Sequence, residues 1–259
     1  MSLATILATL DGGPGSEAAL SAALYFGRRH QARVDLLHVE IDVAGTVPVV
    51  GEGMSGAALE QIMQSLQEEA ARRRETARAL YEQHCVSAGL PVVEPVSAPE
   101  PGRFVVSFQH VVGREIDEIV RRGRLHDLIV MARSGEGTAQ GGEDLSPAFD
   151  AALFDSGRPV CLVPAKPVAD VCKSVAVAWN GSRESVRAVA MTLPLLSRAD
   201  KVFVLTARDG SRSAEPSDLA RYLAAHGITA RTWAFTPGVG PIGEALLLEA
   251  AEMGADIMV

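Results

Sequence analysis

Two stretches decide the fold: Ile6-Leu7-Ala8-Thr9-Leu10-Asp11-Gly12-Gly13 near the start of the chain, and Val175-Ala176-Val177-Ala178-Trp179-Asn180-Gly181-Ser182 past its middle. Each is a short apolar run closed by a small polar turn. A helix-like stretch follows, then a second apolar run, Val34 to Val39 in the first copy and Val202 to Leu205 in the second. That order opens a β-α-β unit, and such units build parallel sheets whose ligands sit at the carboxyl ends of the strands. Asp11 and Asn180 therefore occupy equivalent positions at the ends of two first strands, each followed by a glycine, Gly12 and Gly181.

Working outward through the first copy, the pattern predicts a strand over 4–10, a helix over 16–30 and a strand over 33–40. Asp11 and Ser16 both suit a helix start, because their side-chain oxygens accept from free backbone N–H groups. Residues 42–56 are rich in Gly, Val and Pro without a period and read as a long loop. It leaves the carboxyl end of the second strand, placed either to cover a site or to run over the surface. From 58 to 88, Leu59, Ile62, Met63, Leu66, Ala70, Ala77, Leu80 and Tyr81 recur at spacings of three and four, predicting one long helix with a core-facing stripe that Gly89 closes. Extended structure is expected near 91–97 and 103–108, then a helix over 112–123 with Ile116, Ile119 and Val120 inward. A buried strand over 127–131, a Gly-rich loop over 132–143, a short helix from Ser146 to 155 and a strand over 159–163 complete the half.

Pro164-Ala165-Lys166-Pro167 resists continuation of either element and marks a boundary, giving a first domain 1–165 and a second 171–259. The second repeats the order with strands at 173–179, 201–206 and 229–235 and helices at 183–197, 216–226 and 240–253. Asp256-Ile257-Met258-Val259 then matches Asp127-Leu128-Ile129-Val130. An apolar central strand needs a sheet neighbour, so the native polypeptide is expected to be longer than this sequence.

Composition narrows the function. In 259 residues, 47% hydrophobic content is ample for two cores, and a net charge of −8 with a pI near 5.3 argues against a nucleic-acid partner, which needs clustered Lys and Arg. Arg72-Arg73-Arg74 is flanked by Glu68-Glu69 and Glu75 and reads as a solvated helix face. The start lacks a basic region before its first apolar run, so no signal peptide is expected, and no apolar stretch approaches the roughly 18 residues of a membrane span. A cytoplasmic protein with no membrane partner is the expectation. Cys85, Cys161 and Cys172 lack CxxC spacing and suit a reducing compartment, with Cys161 expected as a small buried hydrophobe. The histidines at 30, 38, 84, 110, 126 and 226 show no HxxxH or HExxH spacing, so no metal is expected, and GxSxG is absent, so no catalytic residue is assigned.

The element order, the Asp-Gly turn after the first strand, and the stretches Ala178-Trp179-Asn180-Gly181-Ser182-Arg183-Glu184-Ser185 and Gly254-Ala255-Asp256-Ile257-Met258-Val259 resemble the universal stress protein family in its tandem bacterial form. The resemblance implies an α/β fold: two tandem adenine-nucleotide-hydrolase-like (flavodoxin-like) domains, each a five-stranded parallel sheet flanked by helices, the second truncated here after its fourth strand. It also implies a stress-response protein acting as a regulatory or binding module responsive to ATP or AMP. The alternative is a weak ATPase or nucleotide-handling enzyme using the second half. Related domains pair through their last strands, here 160–163, which implies pairing of the two halves or a homodimer.

Many members bind ATP through a loop of Gly, two residues, Gly, nine residues, Gly, then Ser or Thr. Glycine lets backbone N–H groups approach the phosphates, and a hydroxyl at the next helix start adds a donor. On this chain Ala132 falls on the first glycine, Gly135 on the second, Leu145 on the third and Ser146 on the hydroxyl position. Two of three glycines are missing, Leu145 puts a branched side chain in the path, and Glu136, Glu143 and Asp144 repel a triphosphate, so the loop reads as degenerate. Asp11, Gly12 and the backbone around Val39 remain compatible with a nucleotide. In the second half Asn180 replaces the family's Asp beside Gly181, and the matching loop would lie beyond Val259.

Rival patterns are weaker. Asp11-Gly12-Gly13-Pro14-Gly15-Ser16 resembles the SGGxDS turn of ATP pyrophosphatases, but Asp11 and Gly15 replace its first Ser and its Asp, and no catalytic lysine pattern follows. A dinucleotide fingerprint needs GxGxxG, and Gly13-Pro14-Gly15 has no third glycine in register. Pro237-Gly238-Val239-Gly240-Pro241 reads as a loop with left-handed residues rather than an anion site.

Overall fold

The computed structural model describes residues 3–42, 56–98, 100–133, 146–165, 171–208 and 215–259. The chain divides into two compact units, Leu3–Val168 and Ala169–Val259. In the first, β1 (Thr5–Thr9), α1 (Ser16–His30), β2 (Arg33–Ile41), α2 (Gly56–Tyr81), β3 (Val105–Gly113), α3 (Glu115–Gly123), β4 (Leu128–Ala132), α4 (Pro147–Asp155) and β5 (Val160–Val163) form a parallel sheet of order β3-β2-β1-β4-β5. In the second, β6 (Ser174–Ala178), α5 (Arg183–Leu196), β7 (Lys201–Ala207), α6 (Pro216–Ala225), β8 (Ala230–Phe235), α7 (Ile242–Glu252) and β9 (Ile257–Met258) form a four-stranded parallel sheet of order β8-β7-β6-β9.

Strands covered by helices on both faces need apolar residues at every position, which is why the β1 and β4 runs do not alternate. Leu7, Leu37, Ile129 and Met131 point to one face, where Ile119 of α3 and Phe149 of α4 complete a cluster. Val34 lies on the other face, and Gly27 of α1 comes so close that a Cβ there would stand 2.4 Å from Val34 Cγ2. The repeat extends to the strand starts. Asp127 Oδ2 accepts from the N–H groups of Ala4 (2.8 Å) and Thr5 (3.1 Å), and Asp256 Oδ2 accepts from those of Lys173 (2.9 Å) and Ser174 (3.1 Å).

Several expectations change. The long helix is α2 followed by a π-helical turn, Glu82–Val86, with Gly89 at φ +67°. Only part of its stripe is core: Ala77 is fully buried, whereas Ile62 and Leu66 are 36% and 44% exposed. The cause is length, since 26 residues of helix span about 39 Å and a nine-residue strand about 30 Å. The early turns of α2 overhang the sheet. Residues 91–97 hold only an isolated bridge from Val92 to Val106 and a turn, because Pro91 and Pro95 supply no N–H for a ladder. The helix expected from 112 begins at Glu115, because β3 keeps pairing with β2 through Ile41 and Gly113. Cys161 is half-buried, not buried, since β5 is an edge strand. The loops expected at 42–56 and 132–143 fall largely outside the described residues.

Candidate functional site

The carboxyl ends of β1, β2 and β4 form the place a ligand would occupy in such a sheet. The turn after β1 is a closed hydrogen-bonded ring. Asp11 Oδ1 accepts from the Gly13 N–H (2.9 Å) and from the Ser16 hydroxyl (2.7 Å), while Ser16 Oγ accepts from the Gly12 N–H (3.0 Å). Asp11 and Ser16 therefore bind each other and the turn rather than capping α1, whose N-cap is Gly15. The second unit repeats the turn: Asn180 Oδ1 accepts from the Ser182 N–H (3.0 Å), and Ser182 Oγ caps α5 by accepting from Ser185 N–H (3.1 Å). Gly12 and Gly181 take the same left-handed conformation, φ +76° and +73°, which a side chain would strain.

Two close approaches fix the surroundings of Asp11. A Cβ on Gly15 would stand 2.5 Å from Ala132 Cβ, so the absence of one lets α1 start directly against the end of β4. A Cβ on Gly12 would stand 2.2 Å from the Arg73 carbonyl oxygen, so the backbone of α2 lies on the turn. Val39, on the neighbouring strand, packs against the cluster that holds Phe149. Ser146 caps α4, its Oγ accepting from the Phe149 N–H at 3.2 Å, ahead of Pro147. The first unit thus gathers Asp11, Gly12, Val39 and Ala132 at three adjacent strand ends, with Ser146 on the helix beside Val39. Asn180 and Gly181 belong to the second unit, and Gly135 lies outside the described residues.

Further polar groups that no local motif marks lie at and near these strand ends. His38 is 2% exposed, and its Nδ1 lies 2.6 Å from the Leu10 carbonyl oxygen, so Nδ1 carries the proton and Nε2 is an acceptor. Nε2 is buried and has no hydrogen-bond partner. Burial favours the neutral ring and pushes the His38 pKa down, outweighing the Leu10 hydrogen bond, which acts the other way. The His110 ring stacks on His38 with centroids 5.7 Å apart, and its Nε2 lies 2.7 Å from Glu40 Oε2. Glu40 also accepts from Arg74 (3.0 Å), tying α2 to β2. Burial alone would raise the Glu40 carboxyl, but these bonds hold it below its ordinary value. Glu115, at the start of α3, is shifted upward by burial and then by the Asp11 charge, with Arg73 opposing. His38 and His110 are register partners on β2 and β3, two strands far apart in the sequence.

Among the described residues no group of three or more His, Cys, Asp and Glu could hold a metal ion, and no helix is long and apolar enough to cross a membrane.

The model of the universal stress protein family matches residues 3–142. No curated protein matches the chain. Among solved structures, a universal stress protein from Archaeoglobus fulgidus DSM 4304 is 16% identical with a TM-score of 0.64, over 100% of this chain and 86% of that one. A functionally unknown protein from Pseudomonas aeruginosa PAO1 is 15% identical with a TM-score of 0.54, over 99% of this chain and 80% of that one. At such identities these likenesses show the fold alone, and they agree with the two parallel sheets. Because the family model spans more than half of the sequence and covers the Asp11 turn, β1 to β4 and their helices, the chain belongs to the universal stress protein family.

Proposed function

We propose that this protein is a non-catalytic stress-response module that binds an adenine nucleotide at the carboxyl ends of β1, β2 and β4 and acts through occupancy of that site. The single observation that carries the reading is the turn after β1. It holds the Asp11 carboxylate through bonds from Gly13 and Ser16, sets Gly15 against Ala132 at the end of β4, and leaves Val39 on the next strand to flank a base. Its domains are 1–165 and 171–259, Asn180 and Gly181 form the corresponding turn of the second, and the protein works in the cytoplasm. The phosphate loop of the first domain is degenerate, with Ala132 and Leu145 in place of glycines and Gly135 and Ser146 retained. The edge of β5 is the surface for pairing, either of the two halves or into a homodimer, and a monomer in sedimentation would count against the homodimer.

The test is a melting-temperature series with ATP, AMP and adenosine at millimolar concentration. A ligand at 100 times its dissociation constant adds about 2.7 kcal/mol to the stability of the unit that binds it, a shift of several degrees. No shift with any of the three would overturn the reading. Sustained ATP hydrolysis by the purified chain would overturn its non-catalytic part.

A further inference from the structure

A cavity of about 240 Å³ lies between the last turn of α3 and the first sheet, away from the carboxyl ends of the strands. Its floor follows from strand register. Leu7, Asp35 and Ser107 form one row across β1, β2 and β3, and Leu37 and Gln109 form the next row on the same face, two residues along. Both rows lie in the first half of β2 and β3. Pro95 and the exposed Leu125 add apolar surface to the walls.

The polar groups around this floor leave N–H donors and positive charge to spare. On the wall made by α3, Arg121 Nη2 (2.6 Å) and Arg122 Nε (3.0 Å) both donate to Glu118 Oε2, so two guanidinium charges meet one carboxylate. Arg122, the more buried of the two, also donates through Nη1 to Gln109 Oε1. That leaves Arg122 Nη2 and the Gln109 amide nitrogen without a partner among the described residues. The opposite wall carries no unmatched negative charge. Asp35 takes bonds at both oxygens, from Arg33 Nε (2.7 Å) and Ser107 on Oδ1 and from His126 Nε2 (3.0 Å) on Oδ2, while His126 Nδ1 lies 2.8 Å from the Arg122 carbonyl. A planar anion suits the guanidinium and amide donors, and a single surplus charge matches a monoanion better than a phosphate dianion. The volume falls just below the range of drug-sized sites, about 300–1,000 Å³, and fits a small molecule.

We propose that this cavity binds a small monocarboxylate with an apolar body, its carboxylate against Arg122 and Gln109 and its body on Leu7, Leu37 and Leu125. The site is independent of the nucleotide reading, since none of its groups belongs to the Asp11 turn.

Isothermal titration of the full chain with benzoate, its uncharged isostere benzamide and inorganic phosphate tests it. Benzoate is expected to bind about tenfold more tightly than benzamide, the ratio supplied by making one hydrogen bond charge-assisted on both sides. Phosphate, which gains nothing from the leucines, should bind more weakly than benzoate. Arg122→Met keeps an unbranched apolar stem but removes the guanidinium, and should lower benzoate affinity about tenfold. Leu125→Glu changes an exposed side chain, adds a negative charge beside the cavity and should weaken benzoate about threefold. Unchanged circular dichroism checks that both variants are folded, and Leu125→Glu keeps the test decisive should Arg122→Met fail to fold. Benzamide or phosphate binding as tightly as benzoate overturns the inference. So does a benzoate affinity that neither variant alters, or no benzoate binding at millimolar concentration.

Discussion

Gly12→Ala is expected to destabilise the first unit by about 3 kcal/mol, from two additive causes. A non-glycine residue at φ +76° costs about 1–2 kcal/mol. The new Cβ would also stand 2.2 Å from the Arg73 carbonyl oxygen and 2.6 Å from its carbon, which are backbone atoms of a helix and cannot swing aside as a side chain would. Overpacking of that kind typically adds about 1–3 kcal/mol. The two tryptophans, Trp179 and Trp233, both lie in the second unit, so their fluorescence follows that unit while far-ultraviolet circular dichroism follows both. In urea, the dichroism transition of Gly12→Ala should move to lower denaturant while the fluorescence transition stays in place. A dichroism transition that does not move would show that α2 does not rest on the turn.

Asp35→Ala should have an effect of the same size, again about 3 kcal/mol, because it strands a buried cation. The Arg33 side chain is 9% exposed, and its Nε donates to Asp35 Oδ1 at 2.7 Å. Its terminal nitrogens are held by the carbonyls of Ser97 (2.8 Å) and Pro95 (2.7 Å). Ser107 donates to the same carboxylate oxygen, and His126 Nε2 lies 3.0 Å from the other. Burial would by itself raise the Asp35 carboxyl, but the bonds from His126, Ser107 and Arg33 outweigh it and hold it below its ordinary value. A depressed carboxylate stabilises the fold above its unfolded-state pKa of about 4, and that contribution fades as pH falls through the lower folded-state value. The stability gap between the unaltered chain and Asp35→Asn should therefore be widest at neutral pH and narrow on acidification. A gap that widens toward low pH would contradict the assignment.

Both of these features show where the sequence was readable and where it was not. The strands around Leu7 and Val177 could be placed because they are unbroken apolar runs ended by Gly-containing turns. The equivalence of Asp11 and Asn180 needed only the repeat, and the structure extends it to matching turn bonds and matching glycine conformations. The His38, His110, Glu40 and Arg74 set was not legible in the same way. Its members meet only through the register of β2 on β3, 72 residues apart, and through the placement of α2, neither of which a local pattern encodes. The capping role expected of Asp11 failed for a related reason: a carboxylate next to two glycines and a serine has several local donors, and the turn's own N–H groups outcompeted those of the helix. The stripe on α2 misled because helical spacing records which side of a helix is apolar, not how far the sheet beneath it extends.

The bond from Asp127 back to Ala4 and Thr5 has a kinetic consequence. Within its sheet β1 is made before β4, yet its central place is completed only by that strand, which begins more than 120 residues later, and the contact closing that gap spans 123 positions. Such distant closure is slow relative to hairpins and local helices, so the edge of β1 that pairs with β4 is covered late in folding. Refolding of the first unit should accordingly be slowed by Asp127→Ala more than its unfolding is hastened, making this carboxylate a determinant of how long the nascent chain stays exposed to aggregation.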